Sequence, residues 1–281
     1  MINRHKTDII NVVEFDQAYN QRKNVNVIKE TVRPFDNLSL CLSDNFDTLY
    51  RILNNSRLID HYDISGAATV SETYEIAKIV EDIAEMDSKE YFKFVNTGTI
   101  DKFSVGWGEE TMTYVKQKYL YPVISHQALK NMFPKRYAQS CSPKLITTGI
   151  RYFKVFGDFE GEYCAAKSTE IITPRNGENL KMILPILNSN VVFFFLKEAY
   201  GGIAMGGGIT FSPNNLCNIP IPDISEAQEN ELINMADLYS NKDFSEEDQD
   251  KLDQYIYMLY GLDQQDIAVI ELFKEKSKRK R

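Results

Sequence analysis

Strand-forming residues in this chain are gathered in its middle, with helix-period patterns on both sides, and that arrangement restricts the fold more than any other feature. Tyr91–Asn96 and Leu145–Phe156 are dominated by β-branched and aromatic residues. Phe156-Gly-Asp-Phe-Glu-Gly161 reads as a hairpin connection into a further strand, Glu162–Thr173. Before them, Ser43-Asp44-Asn45 reads as a helix N-cap, followed by Phe46, Leu49, Tyr50 and Leu53 on one face, a helix to about Asn54. Ser71 is expected to cap a second helix with an apolar stripe of Tyr74, Ile76, Ile79, Val80 and Ile83. After the strands come two helices, Glu178–Asn188 and Val191–Tyr200, separated by a break at Asn188-Ser189-Asn190. Ala227–Ser240 and Glu246–Lys276 follow, the latter broken near Gly261. Strands bounded by helices imply a mixed α+β (mixed α/β) fold, with a central mixed β-sheet flanked by helices and then a C-terminal helical segment. The units read as 1–42, a lead-in with short extended candidates at Ile9–Phe15 and Asn26–Val32; 43–225, the main body; and 226–281, the C-terminal helices and a basic tail.

The charge is unevenly spread. The net charge is −8, which opposes indiscriminate coating of nucleic acid. Yet the 47 residues from Thr111 to Gly157 carry eight basic side chains (Lys116, Lys118, Lys130, Lys135, Arg136, Lys144, Arg151, Lys154) and no acid. Aromatics interleave them: Tyr114, Tyr119, Tyr121, Phe133, Tyr137, Tyr152, Phe153 and Phe156. Basic residues among aromatics suit a surface that tracks a nucleic-acid backbone. The alternative is that the aromatics are core and the lysines only solvated. The tail Lys274–Arg281 adds six positive charges and one negative, and reads as frayed and solvated.

Other classes find little support. The longest apolar run, Val191–Leu196, is far shorter than a membrane helix, and the first residues lack an apolar segment, so a cytoplasmic protein with no membrane partner is expected. Cys41, Cys141, Cys164 and Cys217 form no C-x-x-C pair, which favours buried reduced thiols over a zinc site. Asp158, Glu160 and Glu162 are bracketed by Gly157 and Gly161 and read as a turn rather than paired catalytic carboxylates. Five glycines lie between Gly201 and Gly208, but no Lys follows before Lys242, so a phosphate loop is not formed. Those glycines read as a tight link, with Phe211–Pro222 a strand-like segment that Ile219-Pro-Ile-Pro222 terminates, because proline has no N–H to donate. The chain has no Pro-Pro, hence no Asn-Pro-Pro-Tyr catalytic element, and no nucleophile elbow or His-Glu-x-x-His.

Three stretches together resemble one family. They are Ile64-Ser-Gly-Ala-Ala-Thr-Val-Ser-Glu-Thr-Tyr-Glu-Ile76; Ile186-Leu-Asn-Ser-Asn190 leading through Phe211-Ser-Pro-Asn-Asn-Leu216 to Ile219-Pro-Ile-Pro222; and Leu252-Asp-Gln-Tyr-Ile-Tyr-Met-Leu-Tyr-Gly-Leu-Asp-Gln-Gln-Asp-Ile267. In order and spacing they are similar to the TaqI-like C-terminal specificity, or target-recognition, domain of type II restriction–modification adenine-specific DNA methyltransferases. The resemblance spans about residues 45 to 272 and implies a non-catalytic module that reads duplex DNA. It would present an adenine, flipped from the stack, to a methyltransferase catalytic domain or subunit. S-adenosylmethionine would be that partner's cofactor, with none in this chain. The DNA-facing residues are expected to be Lys135, Arg136, Lys144, Arg151 and Lys154, with Asn96 and Thr97 in a reading loop; Arg151 is favoured because its planar fork grips guanine or phosphate. The alternative function is a protein-interaction subunit whose acidic C-terminal helices dock a methyltransferase or translocase partner without reading DNA.

Overall fold

The computed structural model describes residues 9–16, 18–28, 38–201 and 210–278. The glycines after Gly201, the extended candidate beyond Ile28 and the last three residues of the basic tail lie outside them. The fold is mixed α+β, and among the described residues its strands form two four-stranded sheets and three two-stranded ones rather than one central sheet. The first runs Val155–Asp158, Lys144–Thr148, Thr169–Pro174, Tyr62–Gly66, all antiparallel. The second runs Tyr163–Ala165, Tyr91–Val95, Pro122–Ser125, Val80–Asp82, with its first pair parallel.

Strand alternation explains how the layers stack. On one face of the first sheet, Leu145, Val155 and Ile172 join the large core built on the helices Leu180–Leu187 and Asn190–Tyr200. Their neighbours Ile146, Phe156 and Ile171 point the other way and pack with Val95, Ile100 and Ala165 from around the second sheet. The far side of the second sheet carries Phe92, Phe94 and Ile124, covered by Ile76, Met112, Tyr114 and Leu129. The C-terminal helices Glu226–Ser240, Glu246–Leu259 and Gln264–Lys278 contribute Leu232, Leu252, Ile256 and Ile270 to the large core, and Val27, Leu40 and Cys41 reach it from the other end of the chain.

The longer helices follow their sequence signals closely. Phe46–Leu53 buries Leu49 and Ile52, with Phe46, Tyr50 and Leu53 partly buried beside them, although Asn45 at its start makes no side-chain capping hydrogen bond. Ser189, Ser225 and Ser245 cap the helices that follow them, and Gly261 breaks the last pair in the left-handed conformation its missing Cβ permits. No single helix among the described residues is long and apolar enough to cross a membrane. Leu180–Leu187 and Asn190–Tyr200 are so only as a pair, which bends by 65° at the break.

Several expectations are corrected. Thr69, not Ser71, caps the second helix, which ends at Ile76; the β-branched Val80 continues as a strand, Val80–Asp82, paired with Pro122–Ser125. Leu145–Phe156 is two strands joined by a loop at 149–154. Glu162–Thr173 is likewise two strands, one in each sheet, so the chain crosses between sheets and returns. Phe211–Pro222 contains a short helix, Pro213–Cys217. Pro220–Ile221 does pair, with Ser56–Arg57, and the Pro220 carbonyl accepts from the Tyr260 hydroxyl at 2.6 Å. Of the thiols, Cys41 and Cys164 are buried, but Cys141 is exposed and Cys217 partly so. Lys274, expected in a solvated tail, is nearly buried and paired with Asp250 at 2.7 Å.

Candidate nucleic-acid interface

At one end of the two sheets, four connections are tied to one another. The turn after strand Tyr91–Val95 is held by Asn96, whose Oδ1 accepts the Gly98 N–H at 2.8 Å and whose Nδ2 donates to the Thr113 carbonyl at 2.9 Å. That carbonyl belongs to the hairpin Met112–Tyr119. The Thr97 hydroxyl donates to the Ser168 carbonyl, in the turn between strands Tyr163–Ala165 and Thr169–Pro174. The same carbonyl accepts the Gly149 N–H at 2.8 Å, at the start of the loop 149–154. A Cβ on residue 149 would sit 2.6 Å from that oxygen, so only glycine allows this approach. Four non-glycine residues in these connections, Val115, Lys116, Arg151 and Ser168, have positive φ (43°, 69°, 69° and 74°). Each costs on the order of 1 kcal/mol.

This end carries four exposed cations. Arg151 is exposed in the loop, Lys167 beside Ser168, and Lys116 and Lys118 on the hairpin; none has an ion pair among the described residues. By contrast Lys23, Arg51, Lys78, Lys93, Arg175, Lys181, Lys242 and Lys251 are each matched by a carboxylate. Unmatched cations on rigid turns leave positive potential open to an anionic partner.

The expected site residues divide accordingly. Arg151 belongs to this surface. Lys135 is exposed on the helix Pro134–Cys141, also without an ion pair among the described residues. Asn96 and Thr97 sit in the turn, but their side chains are occupied in fixing it. Lys154 pairs with Asp101 at 3.0 Å and lines a cavity of about 300 Å³ with Lys102 and Lys274.

Arg136 and Lys144 are corrected, because neither offers its charge outward. Arg136 is buried: Nη2 meets Glu72 at 2.9 Å and Nη1 donates to the Gly66 carbonyl at 3.0 Å. Its hydrogen bonds bring the Glu72 carboxyl down to about 2, although desolvation opposes them. Lys144 is 1% exposed, and its ammonium donates to the Ser140 carbonyl at 2.7 Å, to Ser142, and to Asp158. Asp158 in turn accepts the N–H groups of Glu162 and Tyr163 at 2.9 and 3.0 Å, so the expected turn is built around this pair. Three of the eight interleaved aromatics, Tyr114, Phe153 and Phe156, are core residues under 7% exposed; Tyr119, Phe133 and Tyr137 are partly buried against the core, and Tyr152 keeps 37%.

Lys167 and the prominence of Lys116 and Lys118 were not anticipated. Reading Glu162–Thr173 as one strand hides the turn that presents Lys167. The Val115-Lys116 turn lacks the Asn-Gly signal that marks a two-residue hairpin.

Behind these turns, Glu170 pairs in register with Gly66 and Thr147 and is 9% exposed, with no hydrogen-bond partner for Oε2. Burial pushes its carboxyl up to about 7 from an ordinary 4.5. The folded-state value is raised, so ionisation opposes folding: stability is undiminished below pH 4.5 and falls as pH rises from there toward 7. Glu170→Gln is therefore expected to stabilise the chain by about 1–2 kcal/mol at pH 8, a figure reduced for residual solvent contact, and to have little effect at pH 4.5. Urea melts at the two pH values check this; an equal effect at both would contradict it.

No protein-family model and no curated protein matches the chain. Among solved structures it is similar to the type IIG restriction endonuclease BpuSI, with 11% sequence identity and a TM-score of 0.45, over 85% of this chain and 36% of that one.

Proposed function

We propose that this chain is a target-recognition module of a restriction–modification adenine-specific DNA methyltransferase, binding duplex DNA and placing an adenine for a separate catalytic domain that holds S-adenosylmethionine. The observation that carries the reading is the set of unmatched cations, Lys116, Lys118, Arg151 and Lys167, on turns hydrogen-bonded to one another, on a chain whose net charge is −8. Uncompensated lysine and arginine on fixed backbone suit phosphate contact, and nearby exposed side chains supply base readout. The three sequence motifs support the same reading. The methyltransferase partner would dock on the C-terminal helices, which expose Leu238, Met258 and Leu272, one from each.

The double reversal Arg151→Glu with Lys167→Glu is expected to weaken binding to a mixed-sequence duplex roughly 100-fold at low salt, leaving thermal unfolding unchanged. Lys251→Glu, which breaks only a pair with Glu247 on a C-terminal helix, is expected to leave binding unaltered. Wild-type affinity in the double variant would refute the reading.

A further inference from the structure

The hairpin Met112–Tyr119 combines three features that one role explains. Its strands pair as Met112 with Tyr119, Thr113 with Lys118 and Tyr114 with Gln117, leaving Val115-Lys116 as a two-residue turn. Both turn residues have positive φ, the mirror-image geometry that favours Asn-Gly. Valine, branched at Cβ, is among the residues least suited to it. No contact among the described residues repays that strain: Val115 is 36% exposed, and Lys116 and Gln117 are exposed with no side-chain partner there.

The base of the hairpin is, by contrast, firmly held. Met112 and Tyr114 are buried, the Tyr114 ring packs edge-on against Phe94 at 4.9 Å, and its hydroxyl donates to the Thr73 carbonyl at 3.0 Å. Asn96 fixes the outer strand through the Thr113 carbonyl. A rigid base therefore presents a strained, exposed tip, and strain kept without local repayment points to a contact outside the chain.

We propose that this tip, Val115-Lys116-Gln117-Lys118, enters the major groove and reads base edges, an inference that rests on the DNA-binding function proposed above. The groove, about 12 Å wide, admits a two-stranded ribbon. Each side chain has a matching role. Val115 packs on a thymine methyl, Lys116 donates to guanine O6 and N7, and the Gln117 amide pairs with adenine N6 and N7. Lys118, on the outer face opposite Thr113, meets a phosphate.

The test is selection from a randomised duplex library by the full chain and two variants. Wild type is expected to return a consensus. Val115→Asn with Lys116→Gly, which installs the favoured turn, is expected to melt at a higher temperature and to lose less than about 10-fold in mixed-sequence affinity, as befits one cation. It should return no preference at two or more adjacent base pairs of the consensus. Gln117→Ala should relax the preference at one adenine, with discrimination there falling roughly 5- to 100-fold. If both variants select the wild-type consensus, the tip does not read bases, although the chain still binds DNA. If wild type itself neither binds duplex nor selects a sequence, the DNA-reading function fails and the tip's role with it.

Discussion

Replacing Lys144 with methionine is expected to destabilise the chain by about 3–5 kcal/mol, enough to unfold much of a marginally stable domain. Lys144 and Asp158 are each 1% exposed on their side chains, so the substitution leaves a carboxylate without its counter-charge in the interior. Burial lowers the Lys144 pKa more than Asp158 raises it, so the pair is expensive to keep as well as to break. Its structural use is evident from the bonds it organises. Asp158 accepts the backbone N–H groups of Glu162 and Tyr163, where the chain leaves the first sheet for the second, and the Lys144 ammonium donates to the Ser140 and Ser142 carbonyls at the end of the helix Pro134–Cys141. Replacing both with apolar residues would return the charge cost but not those N–H partners, so the double variant should recover only part of the loss. Chemical denaturation of the two variants measures this. A Lys144→Met protein as stable as wild type would mean that the pair is not buried as described.

Asp253→Ala is expected to cost about 2–4 kcal/mol and to loosen the C-terminal helices from the rest of the core. Asp253 is fully buried, and burial raises its carboxyl to about 6. It accepts the Asn190 N–H at 2.7 Å, the Asn190 side-chain amide, and Gln249 Nε2 at 3.0 Å. It also faces Lys102, whose ammonium is pushed down to about 8 by desolvation and donates to the Asn188 carbonyl at 2.7 Å. Next to it, Asn188 bonds both the N–H and the carbonyl of Val155 through its side chain, at 3.0 and 2.8 Å. The break Asn188-Ser189-Asn190 thus joins the edge strand of the first sheet to the helix Glu246–Leu259. In a double-mutant cycle with Asn190→Ala, the two losses should be less than additive by about 1 kcal/mol or more. Strict additivity would show that Asn190 and Asp253 do not act through each other.

These bonds show why part of the molecule could be read from its sequence. The motifs Ile186–Asn190, Ile219–Pro222 and Leu252–Ile267 meet one another in the core, so their order and spacing report the scaffold. Apolar patterning identified Phe46–Leu53, Asn190–Tyr200 and the C-terminal helices for the same reason: each buries apolar side chains in the large core. What was missed depends on which way a strand residue points. Lys144 and Arg151 have the same charge and lie seven residues apart, but one is pinned beneath the turn at Asp158 and the other stands on an exposed loop, and no local pattern separates them. Lys167 was hidden because a strand that changes sheets looks, in sequence, like a longer strand. Val115-Lys116 was hidden because its turn is made from residues that turns avoid.

The central claim is that unmatched cations on the linked turns neutralise DNA phosphates, and the salt dependence of duplex binding tests it most directly. If Lys118, Arg151 and Lys167 each meet a phosphate while Lys116 sits on a base edge, log affinity should fall against log salt with a slope of roughly −3. Changing all four to glutamine should bring the slope close to zero. A wild-type slope near zero, or no measurable binding at about 50 mM salt, would contradict the account.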